Sequence, residues 1–387
     1  MLTVLAWLVF APALAVTLVF ALEVTLGARP ARGPAHPTAH SLDDVVIIIP
    51  AHNEAAGLHD TLEMVLARSN EAAILLVADN CTDDTARIAR TAGVAVIERH
   101  ERDRRGKGYA LAFARATLAS RPPAIVVLLD ADTVPAPNTI DRLVAVARRV
   151  GGPVQGAYFL TAAAADRDAV GFSRIAFYVK NVIRQLGAQR LGAPALLTGS
   201  GIAMRWTVFA RLPLDTGHLA EDLMLGVEAT LAGQPPVFEP AIVTGVVSSL
   251  NGTESQRRRW ETGFSQVRRS YLRPLLRCGF FGGNHRALWT ALQLLTPPFV
   301  PLLALDLVLI ALLAGAWLGG ASPWPALLLA VTTAWALVAL AVALRRHRQA
   351  PALAVALKLP AYLAWKLMLS ARTRLRGERS WVRTDRT

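Results

Sequence analysis

Cysteine is nearly absent. Cys81 and Cys278 are the only two, far apart and at no metal-ligand spacing, which excludes a disulfide scaffold and a thiolate metal site and fits reduced thiols on a cytosolic domain. No G-x-G-x-x-G follows the first apolar strand pattern and no G-x-x-x-x-G-K-[ST] occurs. The chain is therefore neither a dinucleotide-binding protein of the usual kind nor a P-loop NTPase. There is no internal repeat. Acidic residues are outnumbered, 28 against 41 lysines and arginines, for a formal net charge of +13. The arginines fall mainly beside apolar segments, and no module interleaves them with aromatic residues. No nucleic acid partner is expected; a membrane surface and a phosphorylated substrate account better for the basic balance.

Charge is scarcest near the two ends. Met1–Leu26 holds one charged residue, Glu23, with no lysine or arginine before it and Arg29 and Arg32 after it. A cleaved signal peptide would want a basic start and a small-residue cleavage site. The segment is long enough to cross a hydrocarbon core of about 30 Å, so an uncleaved anchor is expected, its amino end outside and the next domain in the cytosol. Leu302–Leu318 has only Asp306 as a charge and Trp324–Leu344 has none. With the short A-S-P-W-P turn between them and Arg345, Arg346 and Arg348 beyond, they predict a hairpin that returns to the cytosol. Thr296–Pro301 is read as an interfacial element before it. In Pro351–Arg374, Lys358, Lys366 and Arg374 recur every eight residues, which predicts a helix lying in the interface plane. The expected division is an anchor over 1–26, a linker over 27–43, a cytosolic domain over 44–286, an interfacial segment with a transmembrane hairpin over 287–345, and a basic tail over 346–387. The expected location is the cytoplasmic membrane, multi-pass.

The polar middle alternates strand and helix. Val45–Pro50, Ala73–Ala78, Val94–Glu98 and the run A-I-V-V-L-L from Ala124 read as buried strands, with helices over Leu58–Ser69, to Ala92, and over Tyr109–Ser120. That alternation predicts an α/β fold, a mainly parallel sheet with helices on both faces. Each strand delivers chemistry at its carboxyl end, the edge where open α/β sheets bind ligands. Glu54 follows the first, Asp79 ends the second, and Asp130 and Asp132 close the fourth. Side chains two apart on an extended segment point the same way. Two such carboxylates repel unless a cation joins them, and Mg²⁺ or Mn²⁺ with diphosphate oxygens completing its shell would do so. A lone D-x-D also suits an acidic turn. Lys107, bracketed by glycines at a helix start, suits an anion or a solvated loop. Asp83 or Asp84 fits a helix N-cap, and Asp222, before an apolar helical run, fits either an N-cap or catalysis. Further on come a strand at Val154–Thr161, a long helix at Phe172–Leu191, a strand pair over Val237–Ser249, and a helix placing Gln256, Arg259 and Trp260 on neighbouring turns.

Five features in order, P-A-H-N-E, D-N-C-T-D-D from Asp79, D-A-D from Asp130, Glu221–Asp222 and Q-x-x-R-W from Gln256, resemble the membrane-bound glycosyltransferases of family 2. These have a GT-A fold, and their branch includes cellulose, chitin and hyaluronan synthases, chitooligosaccharide synthases and ceramide glucosyltransferases. The resemblance covers about Asp44–Tyr271 and the flanking helices. It implies an inverting transfer from a nucleoside diphosphate sugar, with UDP expected as the nucleotide. Glu54, Asp79, Lys107, Asp130, Gln256 and Arg259 match donor-binding positions, and Asp130 and Asp132 match metal positions. Gly199, Ser200, Gly201, Glu221 and Trp260 match acceptor positions, and Asp222 matches the general base. One departure is Ala220, where threonine is usual. The expected acceptor is a lipid or short saccharide at the cytosolic face, forming a β-glycosidic bond. The alternatives are a processive polysaccharide synthase completed by an oligomer or partner subunit, and a sugar-nucleotide sensor or scaffold without turnover.

Overall fold

A computed structural model describes residues 2–31, 41–69, 71–161, 174–246 and 250–349, the side chains of 246 and 250–259 excepted. The expected in-plane helix Pro351–Arg374 and the middle of the 27–43 linker lie outside the described residues. The chain forms two compact units. One comprises Met1–Ala31, Asp166–Ala193 and Leu288–Arg379, the other Arg32–Ala165, Pro194–Ala287 and Ser380–Thr387.

The second unit is built on an eight-stranded sheet of β1 (Val45–Ala51), β2 (Ala73–Asp79), β3 (Ala95–Arg99), β4 (Ile125–Leu128), β5 (Thr133–Pro135), β6 (Val154–Thr161), β7 (Ile202–Arg205) and β8 (Val237–Val246), in the order β3-β2-β1-β4-β7-β6-β8-β5. β3, β2, β1 and β4 are parallel. Helices Ala55–Leu66, Thr85–Thr91 and Lys107–Leu118 make the crossovers. These strands are unbroken apolar runs because both faces are covered: Ile47, Ile48, Ile49, Leu76, Val126 and Val127 are fully buried. From β1 the chain moves outward through β2 to β3, then returns to lay β4 on the other side of β1. That reversal opens a crevice at the carboxyl ends of β1 and β4.

The far half of the sheet is mixed, with β7 antiparallel to both β4 and β6. The strand pair expected over Val237–Ser249 is instead, as far as it is described, the single strand β8, parallel to β6 and antiparallel to β5. Its register on β6 jumps between Gly156 and Ala157, which face Glu239 and Ile242. The looped-out segment holds Pro240, which has no N–H to give to a ladder, so the apparent break is a bulge.

The first unit contains three helices long and apolar enough to cross a membrane: Leu2–Gly27, Phe299–Leu318 and Trp324–Arg346. The long helix predicted over Phe172–Leu191 passes through a π-helical turn, Val179–Ile183, before Arg184–Arg190. Phe20, Val24, Ile183, Leu302 and Leu340 share one apolar cluster. Both carboxylates of the apolar spans are satisfied inside this unit. Fully buried Glu23 accepts hydrogen bonds from Arg184 Nε (2.6 Å), Gln293 Nε2 (2.8 Å) and Trp289 Nε1 (3.1 Å). Asp306 accepts from the hydroxyls of Thr17 (3.0 Å) and Thr333 (3.1 Å).

Candidate active site

Loops after β1 and β2 interlock at the sheet's carboxyl edge. Asn53 and Asn80 take positive φ, which their short amides tolerate. The His52 ring Nδ1 lies 2.6 Å from the Asp79 carbonyl, and Thr82 N–H donates to Asn53 Oδ1 at 2.7 Å. Glu54 donates its N–H to Thr85 Oγ1 at 2.8 Å, which sets this half-buried residue at the start of the Ala55–Leu66 helix. Of the two candidate caps, Asp83 accepts from both Ala55 and Thr85 N–H, whereas Asp84 pairs with Arg87. Asp79 is buried. Its Oδ1 accepts from Arg99 Nη1 at 2.6 Å and from Asn80 Nδ2 at 2.9 Å, and Arg99 also reaches Glu101. Arg99 escaped the sequence reading because a lone arginine at a strand end carries no motif.

The second cluster gathers where β4 ends. Lys107 is the first residue of its helix, earlier than the expected start at Tyr109. Its Nζ donates to Asp130 Oδ1 at 2.5 Å and to the Gly199 carbonyl at 2.7 Å. Gly199 has φ +92°, and a Cβ there would lie 3.5 Å from Asp130 Oδ2 and 3.6 Å from Asp222 Oδ2. The two carboxylates thus flank one backbone position, whose φ favours glycine. Ser200 is fully buried; its Oγ accepts from Asp130 N–H at 3.0 Å and bonds Thr133 Oγ1 at 2.7 Å. Gly201 donates its N–H to Leu128 and accepts from Gly156. Of the glycine–serine–glycine trio, Gly199 lies beside the carboxylates and accepts from Lys107, while Ser200 and Gly201 tie the loop to the sheet. Gln155, also missed from sequence, holds the loop from below: Nε2 donates to the Ser200 carbonyl and Oε1 accepts from Thr198 N–H.

Charge in this cluster is lopsided. Burial works against the Lys107 ammonium, but Asp130, Glu221 and Asp222 outweigh it and raise its pKa. Glu221 is pushed up to about 7, first by burial and then by Asp222 beside it, against the pull of Lys107. His218 is held below its usual value by burial, opposed by Asp222; its Nδ1 accepts from Ala220 N–H at 3.2 Å. Around Lys107 the carboxyl groups of Asp130, Glu221 and Asp222 thus outnumber the one cation. No group of three or more His, Cys, Asp or Glu gathers as a metal cage among the described residues. Because Lys107 already occupies Asp130 Oδ1, the donor set fits an ion held by few protein oxygens and completed by a ligand's phosphates.

Helix Leu250–Phe280 closes one side. Tyr271 Oη donates to Glu228 at 2.6 Å. At Gly263 a Cβ would lie 2.7 Å from Ala220 Cβ and 2.8 Å from Ala220 N, so this helix rests directly on the turn before Glu221 and Asp222. The contact gives the small residue at 220 a physical reason. Trp260 is half-buried, and the side chains of Gln256 and Arg259 lie outside the description.

A switch-point crevice edged by carboxylates, on a sheet of this strand order, defines an α/β fold of the GT-A type. The chain belongs to the family described as glycosyltransferase like family 2, whose model matches residues 43–263. Among curated proteins none matches the sequence. Among solved structures, the mannosyltransferase PcManGT from Pyrobaculum calidifontis, in complex with GDP-Man and Mn²⁺, is similar over 89% of this chain and 99% of its own, at 20% identity and a TM-score of 0.53. Glucosyl-3-phosphoglycerate synthase from Mycobacterium tuberculosis, with Mn²⁺, UDP and glucosyl-3-phosphoglycerate, covers 61% of this chain and 86% of its own at 18% identity and a TM-score of 0.41.

Proposed function

We propose that this chain is an inverting membrane glycosyltransferase. It moves a hexosyl or N-acetylhexosaminyl group from a nucleoside diphosphate sugar, a UDP-sugar, to a lipid or short saccharide acceptor at the cytosolic face, forming a β-glycosidic bond. The observation that supports this most is the meeting of Lys107, Asp130 and Asp222 around Gly199, an ammonium and two carboxylates around one half-buried backbone position.

Glu54 and Asp79 bind the nucleoside in this reading, with Arg99 fixing the Asp79 carboxylate. Asp132, with Asp130, would hold Mg²⁺ or Mn²⁺ against the diphosphate; such an ion neutralises charge growing on the leaving group. Lys107 and Arg259 add fixed positive charge for the departing diphosphate, stabilising the transition state more than the ground state. Gln256 shares the helix that grips the diphosphate, and Trp260 stacks on the acceptor. Asp222 removes the acceptor hydroxyl proton as that oxygen attacks the anomeric carbon from the side opposite the leaving group. One displacement inverts the configuration, so an α-linked donor gives a β-linked product.

Purified protein with Mg²⁺ or Mn²⁺, a donor panel and membrane lipid should release free nucleoside diphosphate, and EDTA should abolish the release. Asp222→Asn should lower turnover by about 10² or more while leaving donor binding intact. A sensor would bind the donor and release nothing. Turnover unchanged in Asp222→Asn, or absent with every donor and acceptor, would reject the transferase mechanism.

A further inference from the structure

The carboxyl end of helix Leu250–Phe280 carries a surface that the reaction does not use. Arg269, Arg273 and Arg277 repeat every four residues and so stand in one row along the helix. Leu272, Leu276 and Phe280 form a second row beside it, which Arg268 begins one turn earlier. The opposite side of this turn is the packed one, with Val267 and Leu275 fully buried. Together with Phe281 the two rows line a groove of about 470 Å³. Phe280 is 67% exposed and Phe281 91%. None of the four arginines has an acidic partner among the described residues, although elsewhere in this unit arginines such as Arg99 and Arg142 are paired.

A row of guanidinium groups with no acidic partner among the described residues, beside two half-buried leucines and two exposed phenylalanines, suits a surface that is anionic outside and apolar just beneath. Arginine forks match phosphate oxygens, and exposed phenylalanines lose hydration on entering the acyl boundary. The chain supplies continuity, since only Gly282–Pro298 separates Phe281 from the apolar helix Phe299–Leu318. We propose that this face docks on the anionic phospholipids of the membrane, with Arg269, Arg273 and Arg277 on headgroup phosphates and Phe280 and Phe281 below them. It would hold the end of the helix that bears Gln256, Arg259 and Trp260 against the headgroups.

The test uses the full chain in single-copy nanodiscs, with Cys81 and Cys278 replaced by serine. An environment-sensitive fluorophore is placed by Phe281→Cys, by Gly151→Cys as an exposed control, or by Val331→Cys on the apolar helix Trp324–Arg346. Phosphatidylglycerol discs carrying headgroup-region spin-labelled lipid should quench position 281 severalfold more than position 151. Phosphatidylcholine discs should quench it less. Arg269→Glu/Arg273→Glu/Arg277→Glu, and the milder triple Gln variant, should bring 281 towards the control. Quenching at 281 no greater than at 151, equal in both lipids, or indifferent to both triple variants overturns the proposal; a face covered by another protein gives the first of these. Deep-chain quenching at 331 reports membrane insertion separately, so loss of the docking face alone is distinguishable from failure of the membrane reading itself.

Discussion

Glu221 shows how a single carboxyl reads its neighbours. Its pKa of about 7 in the fold lies above the ordinary 4.5, with burial the larger cause and Asp222 the second. Between those values the folded chain holds a proton that the unfolded chain has released. Stability therefore falls as pH rises from about 4.5 through 7, and the loss is complete above 7. Glu221→Gln mimics the protonated form, so it should raise the melting temperature more at pH 8 than at pH 5, measured without donor. The same variant should remove a limb near neutrality from the pH profile of kcat/KM. That limb belongs to the interacting Glu221–Asp222 pair and not to one residue. An unchanged profile, with equal melting shifts at both pH values, would mean that Glu221 does not titrate there. Asp130 and Asp222 were legible as candidates because each ends or begins an element. Their meeting around Gly199 was not, since it depends on β7 pairing antiparallel beside β4, which brings the loop before it to the end of β4.

At the scale of elements, Gly263 tests whether the helix it belongs to is part of the site. An alanine there would bring its Cβ within 2.7 Å of Ala220 Cβ, closer than packed atoms tolerate, so the helix must shift away from the Glu221–Asp222 turn. Gly263→Ala should lower turnover about 10- to 100-fold, the scale of loss for a misplacement near 1 Å, with little change in the far-UV spectrum. Normal turnover would detach this helix from catalysis. In the membrane-type unit, Asp306 joins Thr17 and Thr333 from two other helices. Asp306→Asn keeps an acceptor and should hold the melting temperature in detergent, whereas Asp306→Leu should cost about 1 kcal/mol. Thr17→Val should cost less when added to the Asp306→Leu variant than it costs alone, because the shared bond is already gone. Strands β1, β2 and β4 and the three apolar helices stand out in the sequence because each is a nearly unbroken apolar run. β5 is too short to show a period, the π turn leaves none, and Pro240 disguises one bulged strand as two. Arg99 and Gln155 had no signal at all, since each acts through a partner far along the chain.

For the whole molecule the open question is product length. A synthase that exports its own polymer must line a bilayer passage with polar groups, which several helices have to supply. Among the described residues only three helices are long and apolar enough to span. Their two carboxylates are engaged within their own unit: Glu23 with Arg184, Trp289 and Gln293, and Asp306 with two threonines. These contacts read as cement between helices, with the carboxylates facing protein donors. Polar side chains spent in this way do not solvate a sugar chain. Reconstituted protein supplied with donor and membrane lipid should therefore yield lipid or short saccharide carrying one or a few added sugars. Its mass should stop rising with time while nucleotide release continues on fresh acceptor. Gel filtration and mass spectrometry of the product decide the matter: a long polymer, inside or across the vesicle wall, would favour a processive synthase whose channel is completed by further copies or a partner subunit. Glu23→Gln gives an independent check. It keeps hydrogen-bond capacity but removes the charge opposite Arg184, so it should loosen the helix unit, read as a lower melting temperature, while leaving the number of sugars added per acceptor unchanged.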